Sequence, residues 1–158
     1  MAQKFIVTRP LQLDETLVIE EITNSEATIA TASNTFRSGI SHYFLELGLD
    51  KKSVDTKEMV VKPLELIKDA RLAEIFNSNN LDEVCFTQAQ IIRFCEKYPR
   101  QLRQNGCANL FLFKENKKYF VASVNVYFDG LYVHVFRLGS VLGLVWGDSR
   151  LHRVFLRY

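Results

Sequence analysis

The sequence has no run of apolar residues long enough to cross a bilayer. Its first ten residues, MAQKFIVTRP, lack a charged start followed by an apolar stretch and a small-residue cleavage site. Both absences predict a cytoplasmic protein with no membrane partner. Cysteine is scarce: Cys85, Cys95 and Cys107 make an odd number, and no pair has CxxC spacing. That argues against a disulfide framework and predicts reduced, mostly buried thiols. The three histidines, His42, His134 and His152, are scattered, so they and the cysteines do not suggest a four-ligand zinc site. There is no P-loop, no GxGxxG, no HExxH and no paired-carboxylate arrangement that stands out. The expectation is therefore no cofactor, no metal and no assignable catalytic residue.

What is present is ordinary in bulk and uneven in distribution. The chain has 158 residues, 47% hydrophobic and 24% charged, enough for a core without disulfides or metal. It reads as a single α+β domain over residues 1–158. The formal net charge is only +2. Residues 1–84, however, hold nine Lys/Arg and fourteen Asp/Glu, a net of −5, whereas residues 85–158 hold eleven and four, a net of +7. Such asymmetry marks a nucleic-acid or acidic-protein surface, or else two halves that neutralise each other.

Local patterns give the elements. Residues 5–9 read as a strand stopped by Pro10. Residues 16–22 and 27–32 flank Asn24-Ser25 and read as an N-terminal hairpin. Phe36, Ile40, Tyr43, Phe44 and Leu47 recur at helical spacing, with Gly48 as a stop. Residues 50–62 read as a polar loop, and Pro63 as the opening of the first of two short helices. Thr87 and Gln90 form a capping box, flanked by Phe86 and Ile91 as a hydrophobic staple. Ile91, Phe94, Cys95 and Tyr98 then form one apolar stripe that Pro99 ends. From residue 108 the period changes to two. Strands are expected at 109–114, 118–128, 131–138 and 151–157, as a four-stranded antiparallel meander beneath the capped helix.

Asp129-Gly130 predicts a type I′ hairpin turn. It would pair Phe128 with Leu131, Tyr127 with Tyr132 and Val126 with Val133. One sheet face then carries Phe120, Ala122, Val124, Val126, Leu131, Val133 and Val135, and is core. The other carries Tyr119, Val121, Ser123, Asn125, Tyr127, Tyr132, His134 and Phe136. Aromatics interleaved with hydrogen-bonding groups on an open sheet suit the stacking of unpaired bases. Lys114, Lys117 and Lys118, with Arg93, Lys97 and Arg100 on and after the capped helix, would meet phosphates. A second layer of protein covering the tyrosines is the competing expectation.

His134 and His152 are the one acid–base pair that the chain offers. They would make a small metal-independent ribonuclease if they converged near a phosphate. Gly147-Asp148-Ser149-Arg150-Leu151 resembles the nucleophile block of a lipase-like family. It lies close to the C-terminal end with no orienting acid, so Ser149 reads as a loop residue. Arg153 and Arg157 share a face of the last strand, where charges block edge-to-edge pairing.

Several blocks resemble a group of short uncharacterised bacterial proteins: FLFKEN (111–116), YFVASV (119–124), DGLYVHVFRL (129–138), VW (145–146) and SRLHRV (149–154). DETLVIEE (14–21) and TQAQIIRFCEKYP (87–99) extend the resemblance over much of the chain, which implies one cooperative unit. The chain departs from the group at Leu151, inserted between Arg150 and His152. The resemblance implies no activity, ligand or site. The overall expectation is a non-enzymatic binding module whose basic half contacts nucleic acid or an acidic protein. A homodimeric interaction or structural subunit is the first alternative, and the ribonuclease the second.

Overall fold

The computed structural model describes residues 6–77, 80–139, 145–147 and 152–157. The described part is α+β, with a large sheet and few helices. In chain order the elements are β1 (Thr8–Pro10), β2 (Leu17–Ile19), β3 (Gly39–Ile40), α1 (Tyr43–Glu46), β4 (Met59–Leu66), β5 (Ala70–Arg71), α2 (Leu72–Ile75) and α3 (Leu81–Val84). They continue with α4 (Gln88–Lys97), β6 (Ala108–Glu115), β7 (Lys118–Tyr127), β8 (Gly130–Arg137), β9 (Val145–Trp146) and β10 (Arg153–Arg157). The main sheet runs β1-β4-β10-β6-β7-β8-β3, with β2 following β1 along the outer side of β4, and β5 pairs β9 apart from it.

The meander is therefore three strands, β6-β7-β8, and not four. The last strand does not extend it beyond β8, whose outer side is met by β3. The chain instead places β9 against the sheet, where Trp146 packs edge-on to Phe136 and to His152. It returns as β10, parallel to β6 and antiparallel to β4. β6 lies between two neighbours and is covered on both faces, so Ala108 to Phe113 are all buried. That explains its near-continuous apolar run.

Two clusters pack on opposite faces. On one, α4 lays Ile91, Phe94 and Cys95 over Phe111, Phe113, Phe120, Ala122, Val124, Val133, Val135 and Phe155. The Phe94 ring meets those of Phe111 (5.5 Å) and Phe155 (4.8 Å). On the other, α2 and β9 cover Leu64, Leu66, Leu110, Leu112, Val121 and Val154.

The capped helix is as the sequence predicts. Thr87 Oγ1 accepts from Gln90 N at 3.2 Å, and Gln90 Oε1 accepts from Thr87 N at 2.9 Å. Phe86 and Ile91 are both buried in the same cluster. The helix stops at Lys97, and Pro99 begins a short 3-10 turn.

The first half departs from expectation. Residues 16–22 and 27–32 form no hairpin: β2 pairs with β4, and Ile29–Thr31 is a 3-10 turn. The helix expected from Phe36 to Leu47 shrinks to the single turn α1, because Gly39 and Ile40 pair with Tyr132 and Val133. Pro63 opens no helix; it lies inside β4. Leu66 N donates to His152 O, so even-numbered residues of β4 aim their amides at β10 and odd-numbered ones outward. The donor that Pro63 lacks thus faces outward, where β1 ends and β2 has not begun. Its carbonyl still accepts from Leu11 N at 3.1 Å. The expected strand 5–9 begins, in the described residues, at Thr8. Asp148, Ser149, Arg150 and Leu151 lie outside the described residues.

Candidate functional site

The β7–β8 hairpin is paired two residues away from the expected register. Val126 faces Leu131 and Tyr127 faces Gly130. Positive φ falls on Asn116 and Lys117 in the β6–β7 turn, but not on Phe128 or Asp129. The type I′ geometry therefore belongs to the earlier turn. Since side chains alternate with period two, a two-residue shift leaves both predicted faces intact.

The face opposite α4 is split along its length. Tyr119 and Phe136 pack against the second cluster, in which Val121 is buried, and Ser123 is buried beside them. Beyond them Asn125, Tyr132 and His134 stay part-exposed, and Tyr127 is 45% exposed. Tyr132 and His134 lie with ring centroids 4.4 Å apart, and His134 stacks toward Phe136 at 6.3 Å. With Ser38, Phe128 and Asp129, residues Tyr127, Tyr132 and His134 line an open hollow of ≈ 400 Å³. Phe128, at the hairpin tip, is fully exposed. Partial burial pushes the His134 imidazole below its ordinary pKa, which favours a neutral ring.

Two glycines shape this hollow. At Gly39 (φ +144°) a Cβ would sit 2.7 Å from the Tyr132 ring, so that ring rests on bare backbone. At Gly130 (φ +136°) a Cβ would sit 2.8 Å from Arg37 Cβ. The Arg37–Ser38 segment can therefore approach the hairpin, and Ser38 N donates to Leu131 O at 3.0 Å. This places the exposed Arg37 against Gly130 at the β7–β8 hairpin.

The other proposed contacts are not gathered there. Arg93 and Lys97 belong to α4, and Arg100 to the turn after it, so the sheet separates all three from the tyrosines. Lys97 Nζ donates to Val18 O at 2.9 Å and pairs with Glu20, which raises the lysine pKa and lowers that of the carboxyl. Lys114, Lys117 and Lys118 lie at the other end of β7, about 30 Å along the strand from Tyr127. Lys114 pairs with Asp82 at 3.0 Å. The Tyr119 hydroxyl bonds the same carboxylate, and together they hold Asp82 below its ordinary pKa.

The two histidines do not converge. β6 and β7 lie between the strands that carry them, a separation of about 14 Å. His152 is buried, and its Nδ1 accepts from Ala108 N at 2.7 Å. No group of three or more His, Cys, Asp or Glu suited to a metal occurs among the described residues.

Sequence reasoning missed Arg37, Ser38, Phe128 and Asp129. The first two lie in a stretch whose apolar spacing reads as helix, although Gly39 has low helix propensity. From the sequence Phe128 reads as a paired strand residue and Asp129 as a turn residue. In comparisons with known proteins, the chain matches no family model, no curated protein and no solved structure.

Proposed function

We propose that this protein is a non-enzymatic binding module that takes an unpaired nucleobase of single-stranded nucleic acid in the hollow at the β7–β8 hairpin. The observation that carries the reading is the pair of partly open tyrosine rings, Tyr127 and Tyr132, beside His134 on one uncovered stretch of sheet. Aromatic faces gain about 1–3 kcal/mol per stacked base and tolerate any base. Asp129 and Ser38 supply edge contacts, and a carboxylate accepts from exocyclic amino groups. Arg37 is the cation placed to meet a phosphate. Arg93, Lys97, Arg100, Lys114, Lys117 and Lys118 play no part at this hollow, because they stand on the other face or at the other strand end.

Fluorescence anisotropy with labelled single-stranded RNA and DNA tests this. Saturable binding should weaken about tenfold in Tyr127→Ala, a substitution at an exposed position that leaves the core intact. Unchanged affinity in that variant would refute the reading. A protein-interaction subunit, including a homodimer, is the second reading, favoured by the fully exposed Phe128. A solution mass twice that of the chain, returning to one chain in Phe128→Ser, would support it instead.

A further inference from the structure

Away from the hollow, one region gathers charge that the fold does not neutralise. Arg9, Glu65, Arg153 and Asn109 form a row across four neighbouring strands, β1, β4, β10 and β6. By alternation they share the face of Phe111 and Phe155, which α4 covers further along. Arg9 donates from both Nε and Nη2 to a single oxygen of Glu65, at 2.9 and 2.7 Å. Glu65 is only 8% exposed. The next member, Arg153, is half-buried; its Nη1 donates to the Gln101 carbonyl, and its Nε is buried with no partner among the described residues.

Arg103 comes to the same place. Asn109 is fully buried and grips the Arg103 backbone on both sides: its Oδ1 accepts from Arg103 N at 2.6 Å, and its Nδ2 donates to Arg103 O at 3.0 Å. The starting point of the Arg103 side chain is thus fixed. Burial first, and then the neighbouring Arg103, push the Arg153 pKa down, while Glu65 acts the other way. Among the described residues Arg9 alone pairs with the Glu65 carboxylate, and Arg103 and Arg153 lie near each other with no ion pair of their own, which leaves two positive charges in excess. Holding like charges together and leaving a buried N–H unpaired both cost stability. A dianion beside the two guanidiniums would offset the first of these costs.

We propose that Arg103 and Arg153, with Arg9 at the rim, form a binding site for the dianionic phosphate group of inorganic phosphate or a small phosphomonoester. The guanidinium fork matches phosphate geometry, and a charge of about −2 matches the excess. The site lies on the face opposite the aromatic hollow and is independent of the nucleobase reading.

Thermal unfolding of the full chain tests it, in low-millimolar sodium phosphate against sodium chloride of equal ionic strength. Phosphate should raise the Tm where chloride does not, and Arg103→Gln should abolish the rise. In chloride alone Arg103→Gln should unfold at the same or a higher temperature than the unsubstituted chain, because it relieves repulsion. A residue with a purely structural role would lower the Tm in both salts. Calorimetric titration should show phosphate binding weakened about tenfold or more in the same variant. A tighter constant for adenosine 5′-monophosphate than for inorganic phosphate would identify a phosphomonoester as the ligand, and the reverse order the free ion. Equal Tm in the two salts, or a phosphate effect that survives Arg103→Gln, would overturn the proposal.

Discussion

Gln88 joins three segments that are distant in sequence. Its Oε1 accepts from Ile29 N, while its Nε2 donates to Leu49 O and to Glu115 Oε1, each at 2.9 Å. It is almost wholly buried. Gln88→Leu would strand a buried amide and a buried carbonyl, so urea unfolding should show a loss of about 3 kcal/mol. Its partner Glu115 carries a pH signature. Burial pushes the Glu115 carboxyl up, with the Gln88 bond pulling the other way. A carboxyl raised in the folded state favours folding most below its unfolded pKa, and that contribution is lost as pH rises through the folded value. Glu115→Gln should therefore match the unsubstituted chain below about pH 4 and unfold at a higher temperature near pH 7. An advantage that is the same at both pH values would contradict this assignment. At the hairpin, Gly130→Ala adds a Cβ 2.8 Å from Arg37 Cβ at a φ that L residues rarely adopt. It should cost about 1–3 kcal/mol by chemical denaturation and loosen the Arg37–Ser38 segment from β8.

At the scale of elements, α4 was fully legible because everything that defines it is local. The Thr87–Gln90 box, the apolar stripe and Pro99 lie within thirteen residues, and Thr87→Ala should cost about 1 kcal/mol in urea titration. Phe94→Ala, which empties the place where the helix meets β6 and β10, should cost about 3–5 kcal/mol by the same measurement. β4 was missed for the opposite reason. Met59 and Val61 are buried while Val60 is exposed, but the three are all apolar and show no alternation in the sequence, and Pro63 reads locally as a break. Only the partners of β4 show that its missing donor falls where β1 gives way to β2. β10 was found as a strand but given the wrong neighbour, since alternation fixes which residues share a face and not which strand lies alongside. The hairpin faces survived a wrong register for the same reason: a shift of two residues preserves parity.

At the scale of the whole molecule, the opposed charge of the two halves is partly internal. Lys97–Glu20 and Lys114–Asp82 both join a basic-half lysine to an acidic-half carboxylate. β4 of the acidic half lies between β1 and β10, so the two halves share one sheet. The sheet also separates the cations of α4 from the open tyrosines, which no reading of composition could reveal. A nucleic-acid surface built on net charge would lose affinity steeply with salt. One built on the hollow, with Arg37 as its cation, would not: a single phosphate contact gives a log–log salt slope of about −0.7.

The most direct measurement is the anisotropy titration of single-stranded RNA and DNA at low and physiological salt, with the unsubstituted chain, Tyr127→Ala and the double variant Arg93→Gln/Arg100→Gln. The expected result is saturable binding with a shallow salt slope, about tenfold weaker in Tyr127→Ala and unchanged in the double arginine variant. No saturable binding at low salt, or binding that tracks the arginines and ignores Tyr127, would contradict the account.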